Sequence, residues 1–174
     1  DFAVDLMAPE TMTPGHLETL SRGTHYGSTF ARMVLPDGEE GTQADVLAAN
    51  QAIAILQARL GARPEAATNR TRLKPDAPFF RAVGFVRPHV PFIAPARHFA
   101  RHPDDDAVIP LEPAGADVPD AALRFSNERR WGMDASQQRK AIAAYHASVS
   151  FMDEQVGRVL DALRSLGARE NTIV

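Results

Sequence analysis

The feature that most restricts the fold of this chain is an apolar run that passes straight into a proline-paced, cationic turn. Pro78-Phe79-Phe80-Arg81-Ala82-Val83-Gly84-Phe85-Val86 is followed at once by Arg87-Pro88-His89-Val90-Pro91-Phe92. Phe79, Phe80, Ala82, Val83, Phe85 and Val86 are nearly continuous, the pattern of a strand covered on both faces in a parallel sheet. A buried strand is therefore predicted here, with Gly84 near its carboxyl end, where the backbone can bend or approach a ligand closely. Pro88 and Pro91 hold the residues before them in extended conformations. Ligands of open α/β sheets bind beyond the carboxyl ends of the strands. That makes His89 a candidate site residue. A packing or surface histidine in a proline-rich loop fits the local pattern as well.

Two helices are predicted around this strand. From Thr42, the residues Ala44, Leu47, Ala48, Gln51, Ile55 and Ala58 recur every three or four positions, with Val46, Ile53, Leu56 and Leu60 widening the apolar face. Gly61 is the expected C-cap, and this helix shows no evident chemistry. The second helix opens with Asp134 and Gln137, spaced as a capping box. Its predicted core stripe is Ile142, Tyr145, Val149, Met152, Val156, Val159 and Leu163, and it ends at Gly167. Gly157, one turn after Asp153, is expected to allow close packing. Thr172-Ile173-Val174 reads as the start of a further strand. Strand, long crossover, helix and strand form a parallel unit. The fold class is α/β: part of a mostly parallel central sheet flanked by helices.

The remaining segments say less. Residues 1–37 read as irregular, broken by Pro9, Pro14, Gly15, Gly23, Gly27 and Pro36. His16 and His25 in that stretch lack the spacing of a helical metal pair. Residues 63–76 form a basic linker holding Lys74, and Asn69-Arg70-Thr71 matches the N-glycosylation pattern only as a short motif. Residues 108–123, with three prolines, read as an extended surface excursion. Asp104-Asp105-Asp106 reads as a solvated turn, because adjacent carboxylates seldom converge on one ion and no calcium-loop spacing follows. His98 is expected to pack on a helix surface, with contact to substrate as the second reading.

Composition fits a globular piece with a substantial core: 174 residues, 44% hydrophobic and 24% charged. The net charge of -3 gives no broad basic surface for nucleic acid or an anionic membrane, and no apolar run approaches the length of a membrane span. The chain has no cysteine, which excludes disulfides and thiolate metal sites within it.

Residues Pro78 to Pro95 resemble the sulfatases, most nearly the iduronate-2-sulfatase-type branch. In that family an apolar strand, a glycine and a basic residue lead into Pro-His and then Pro-Phe and Pro. The resemblance continues through Tyr145-His146-Ala147-Ser148-Val149-Ser150-Phe151-Met152-Asp153-Glu154-Gln155-Val156-Gly157-Arg158-Val159-Leu160 and on to Asn171-Thr172-Ile173-Val174. It covers about half of the chain in the same order; the first seventy or so residues are similar only loosely. It implies an alkaline-phosphatase/sulfatase-like core and hydrolysis of a sulfate ester, of a sulfated small molecule or glycan such as a uronate sulfate. His89 then matches the histidine that contacts sulfate and helps protonate the leaving group. Arg87 matches a basic position that binds an acidic sugar carboxylate or pairs with an internal acid.

The resemblance also implies parts that residues 1–174 lack. A Cys-or-Ser-x-Pro-x-Arg segment, source of the formylglycine nucleophile, is absent. The carboxylates that hold a divalent cation (Ca2+ or Mg2+) fall outside the chain, so no metal ligand is assigned within it. No Lys-x-x-His precedes the strand, Lys74 being the only lysine in residues 1–77. Residues 1–174 are thus expected to be a partial catalytic domain cut at both ends, its main partner the rest of the same polypeptide. A bacterial source would place it in the periplasm or outside the cell. Two alternatives stay open: a phosphoesterase or phosphonate hydrolase of the same superfamily, or a stand-alone non-catalytic α/β module.

Overall fold

The computed structural model describes residues 17–22, 29–61, 77–110 and 132–174. Three short strands form one sheet in the order β1-β2-β3: β1 Leu17–Arg22, β2 Thr29–Leu35 and β3 Phe92–Pro95. β1 and β2 run antiparallel, with a register shift between Thr19 and Ser21. β2 and β3 run parallel, Arg32 facing Phe92 and Leu35 facing Pro95. A parallel pair needs a crossover, and helix α1, Ala44–Leu60, lies on it. The short helix α2, Ala96–Phe99, follows β3 directly, and the 31-residue helix α3, Ala135–Ser165, packs across the sheet. The class is α/β, but the sheet of the described residues is small and mixed rather than mostly parallel.

Several local expectations are corrected. Residues 1–37 are not irregular throughout, because β1 and β2 lie within them. Ala31, Met33 and Leu35 are buried while Val34 is exposed. That alternation is the period of a half-buried strand, hidden in the sequence by the glycines around it. The strand predicted over 79–86 is extended but belongs to no ladder, and Phe80 is 92% exposed. β3 instead begins after the prolines, at Phe92. An apolar run becomes a strand only where a neighbour accepts its backbone hydrogen bonds, and none of the described segments does so here. Thr172–Val174 likewise pairs with no described strand; a 3-10 turn at Arg169–Asn171 leads into it.

Both long helices form where expected, with their faces only partly as expected; Leu163 of the predicted α3 stripe is buried. Asp134 caps α3 in a full capping box: its carboxylate accepts the Gln137 N–H at 2.8 Å, while the Gln137 side chain accepts the Asp134 N–H at 2.9 Å. Gly167 leaves the helix in the left-handed region (φ 68°), where a residue without Cβ is favoured. The buried face of α3 runs through Ala141, Ala144, Ala147, Ser148, Phe151 and Gln155, whereas Tyr145 is 43% exposed. On α1 Ala44, Val46 and Leu56 are buried as expected, together with Asp45, Ala49 and Ala52, while Leu47 and Gln51 point outward. Alanines rather than large residues mark these contacts, which a count of bulky apolar positions does not register. Gly157 is not a close-packing site, since nothing lies within 4 Å of a Cβ placed there.

The core has two faces. Phe92 and Ala94 of β3 meet α3: Leu20, Phe92, Ala141 and Ala144 form one cluster, and Val46, Ala94, Ala147 and Phe151 the next. Met33, Leu35 and Ile93 cluster separately, as the alternation of side chains along a strand requires. Ion pairs tie the edges. Glu18 and Arg32 are cross-strand partners, with Arg32 Nε donating to Glu18 at 2.7 Å and Lys140 of α3 donating to the same carboxylate at 2.7 Å. Arg32 also grips Asp104 with Nη1 at 2.8 and 3.0 Å. Arg97 of α2 reaches Glu40 at 2.8 Å and Glu154 of α3 at 2.7 Å, and its backbone N–H donates to Asp37 at 3.0 Å.

Phe151 is fully buried between sheet and helix, so Phe151→Ala is expected to cost about 3–5 kcal/mol of stability. Tyr145, set edge-on to Phe92 at 5.9 Å but largely outside the core, is expected to lose less than about 1.5 kcal/mol on truncation to Ala. Chemical denaturation of the two variants measures the difference.

His98 supplies a second expectation. Its ring is 1% exposed, lies 5.6 Å from Phe151, and brings Nε2 to 3.0 Å from Glu154 without hydrogen-bond alignment. Burial lowers its pKa from the ordinary 6.5; the Glu154 carboxylate pulls the other way, and Arg97 and Arg101 reinforce the drop. The folded protein therefore binds fewer protons than the unfolded chain just below 6.5, so stability rises with pH in that range. The contribution is complete above the ordinary value and is lost as pH falls toward the lower folded one. Thermal melts from about pH 7.5 to about pH 5.5 are expected to drop in the wild type and to drop less in His98→Gln.

Candidate functional site

The turn that carries His89 is held from inside by the buried Asp45 and Gln43, and the segment leading into it is tied down separately. Upstream, the extended segment is anchored at its start, where Arg59 donates to the Ala77 carbonyl and lies over the Phe79 ring at 5.6 Å. At the turn itself both X-Pro bonds, Arg87-Pro88 and Val90-Pro91, are cis. The His89 N–H donates to the Val86 carbonyl at 3.0 Å, closing the turn. β3 follows immediately, so the turn precedes the amino end of a strand instead of following the carboxyl end of one.

His89 is exposed. Its Nδ1 lies 2.7 Å from the Val90 carbonyl, which can only accept, so Nδ1 carries a proton and donates it. That bond fixes the tautomer and leaves Nε2 for outside chemistry. Nε2 can hold or deliver a proton at a fixed orientation, which is what a general acid at a surface turn requires.

Arg87 points the other way. Its Nη2 donates to Gln43 Oε1 at 3.0 Å and its Nε to the Ile93 carbonyl at 3.3 Å. Burial lowers the pKa of the guanidinium, and the nearby Asp45 carboxylate partly restores it. Asp45, 1% exposed on the first turn of α1, accepts the backbone N–H of Val86 at 2.7 Å and of Arg87 at 3.1 Å. Arg87 thus meets the internal acid through its backbone N–H, while its guanidinium is bonded to Gln43 and to the Ile93 carbonyl. Asp45 itself escaped the sequence reading, in which α1 carried no chemistry. The available signal was a carboxylate wedged between Ala44 and Val46 on an otherwise apolar first turn.

The other candidates lie elsewhere. His98 is buried against Phe151 and Glu154, in the packing role. Asp104 to Asp106 form a 3-10 turn whose first carboxylate serves Arg32. His102 Nε2 meets Ser150 Oγ at 2.8 Å, a contact between the α2 turn and α3 that sequence spacing did not suggest. His16, His25, Asn69, Lys74 and most of the 108–123 excursion lie outside the described residues. Among the described residues no three His, Cys, Asp or Glu side chains converge as a cation site. These residues therefore do not fit a divalent ion, and the chemistry open to them is that of imidazole and guanidinium.

The chain is similar to several known proteins. Over 106 residues the chain is 38% identical to a protein named sulfatase from Formosa agariphila, covering 56% of this chain and 20% of that one. Over 104 residues it is 36% identical to an arylsulfatase of Clostridium perfringens, covering 59% of this chain and 22% of that one. Similarity to the human iduronate 2-sulfatase is 30% over 168 residues, covering 85% of this chain and 28% of that protein. The chain thus spans between a fifth and somewhat over a quarter of the length of these relatives. The sulfatase family model matches residues 62–174, the part that contains the His89 turn, β3 and all of α3, and the chain belongs to the sulfatase family.

Proposed function

We propose that this chain is part of the catalytic domain of a sulfatase, and that His89 contacts the sulfate and protonates the leaving alkoxide. Cleavage of a sulfate ester breaks the bond between sulfur and the bridging oxygen and builds negative charge on that oxygen. In the imidazolium form, with Nδ1 keeping its proton on the Val90 carbonyl, His89 gives up the proton on Nε2 to that oxygen as the charge forms and is left neutral. The observation that carries this reading is the exposed His89 ring, locked by its Nδ1–H to the Val90 carbonyl on a turn held from inside. The inward engagement of Arg87 favours a role in holding that turn over direct contact with substrate. A sulfated uronic acid is the proposed substrate class, supported by similarity to iduronate 2-sulfatase over 85% of the chain. The mostly parallel, alkaline-phosphatase-like sheet belongs to the same proposal, as do the formylglycine nucleophile and the divalent cation, which other parts of the polypeptide supply.

In the complete enzyme, His89→Ala is expected to lower kcat by about a hundredfold or more, with a melting temperature close to wild type. The loss is expected to be larger for aryl sulfates with poor leaving groups, which depend most on a proton. Unchanged kcat on both a sulfated uronate and a neutral aryl sulfate would remove His89 from the site. A loss confined to the acidic sugar would make it a recognition residue instead.

Residues 1–174 purified alone are expected to show no turnover of an aryl sulfate with added calcium or magnesium. Attack on sulfur needs a nucleophile that the chain, with no cysteine and no Ser-x-Pro-x-Arg, does not carry. Turnover that survives His89→Ala but not heat denaturation would overturn that expectation.

A further inference from the structure

We infer that Asp45 is the positioning residue of the His89 turn, acting on catalysis through the backbone of Val86 and Arg87; the inference rests on the proposed role of His89. The six residues from Val86 to Pro91 carry four backbone N–H groups, because Pro88 and Pro91 have none. Asp45 takes two of the four, at 2.7 and 3.1 Å, one on each carboxylate oxygen. A third, that of His89, closes the turn on Val86. The turn is therefore fixed to α1 at the point where it leaves the extended segment, two residues before His89. Gln43, the residue before α1, adds a hold on the Arg87 guanidinium, which in turn reaches the Ile93 carbonyl of β3.

The carboxylate suits this place for physical reasons. A buried charge is costly unless it is paired and hydrogen-bonded. Asp45 is 1% exposed, yet it accepts two charge-assisted bonds, stands in the first turn of α1, where the helix dipole favours an anion, and lies close to the Arg87 cation. An asparagine there has one oxygen for two donors and turns its NH2 toward the other. The turn then shifts, and a displacement of about 1 Å at a reacting group is enough to cost about a hundredfold in rate.

The test uses the complete sulfatase that carries this chain, with an aryl sulfate as substrate and rates normalised to folded enzyme well below the melting temperature. Asp45→Asn is expected to lower kcat by about 10- to 100-fold while changing KM by less than about threefold. In the His89→Ala background the same substitution is expected to cost less than about twofold more, because the two residues act as one unit. Amide hydrogen exchange at Val86 and Arg87 is expected to be slow in the wild type and faster in Asp45→Asn, with Ala49 and Ala52 of α1 unchanged. Should Asp45→Asn not fold, Gln43→Ala removes the acceptor of the Arg87 guanidinium while leaving the Asp45 carboxylate in place, and is expected to show a smaller loss with the same non-additivity. Fast wild-type exchange at both amides overturns the inference, as does a loss that multiplies fully with that of His89→Ala. Undiminished kcat in Asp45→Asn beside a crippled His89→Ala overturns the role of Asp45 and leaves that of His89 standing. Undiminished kcat in His89→Ala overturns both.

Discussion

The close seating of α3 on β3 is the contact on which the rest of the structure depends. Ala141, Ala144 and Ala147 bring the helix backbone near the strand, and Phe92, Ala94 and Phe151 fill the space between them. Small residues allow the approach, and one large ring supplies the apolar area that a row of alanines lacks. With α3 in place, β3 is fixed from one side and β2 from the other, through their parallel ladder. The turn that carries His89 enters β3 directly, so its position follows from that packing.

Charge then sets what packing leaves free. Arg97 gathers Asp37 and Glu40 from the loop after β2 and Glu154 from α3, and Arg32 joins Glu18 to Asp104. These pairs sit at the rim, where each is worth little alone. Their use is in direction: α2 is held to the loop after β2 and to α3 at once. Asp45 differs in kind. It is buried, its partners are backbone groups, and removing it leaves two N–H donors without an acceptor, which costs more than losing an exposed pair.

What the sequence made legible was local. The capping box of Asp134 and Gln137, the existence of α1 and α3, and the stop at Gly167 each depend on residues within one turn of each other. The helix faces were placed only in part: Ala44, Val46, Leu56 and Leu163 are buried as expected, but alanine is compatible with either side and only the sheet decides which other positions are covered. β2 was overlooked although Ala31, Met33 and Leu35 alternate cleanly, since glycines nearby suggested a loop. The extended segment over 79–86 had the composition of a strand but no partner for its ladder among the described residues, and pairing is what separates a strand from an apolar run.

The site was half legible for the same reason. His89 stood out because prolines restrict their neighbours whatever surrounds them. Asp45 did not, because its partners are 41 and 42 residues away and are main-chain groups that every sequence possesses. A carboxylate that serves a side chain leaves a trace in its partner's identity; one that serves the backbone leaves none. The two halves of the arrangement therefore carry unequal information. The imidazole proposed to act on substrate is written as a residue type at a rigid turn. Its orientation is set by the Val90 carbonyl on one side and by an inward carboxylate on the other. Rigidity from proline alone would restrict the turn's shape without fixing where it sits. Anchoring by Asp45 and Gln43 ties that shape to α1, and the reach of Arg87 to Ile93 ties it to the sheet. Shape and place together hold one ring nitrogen at a defined point, which is the condition for proton transfer to an oxygen that becomes basic only in the transition state.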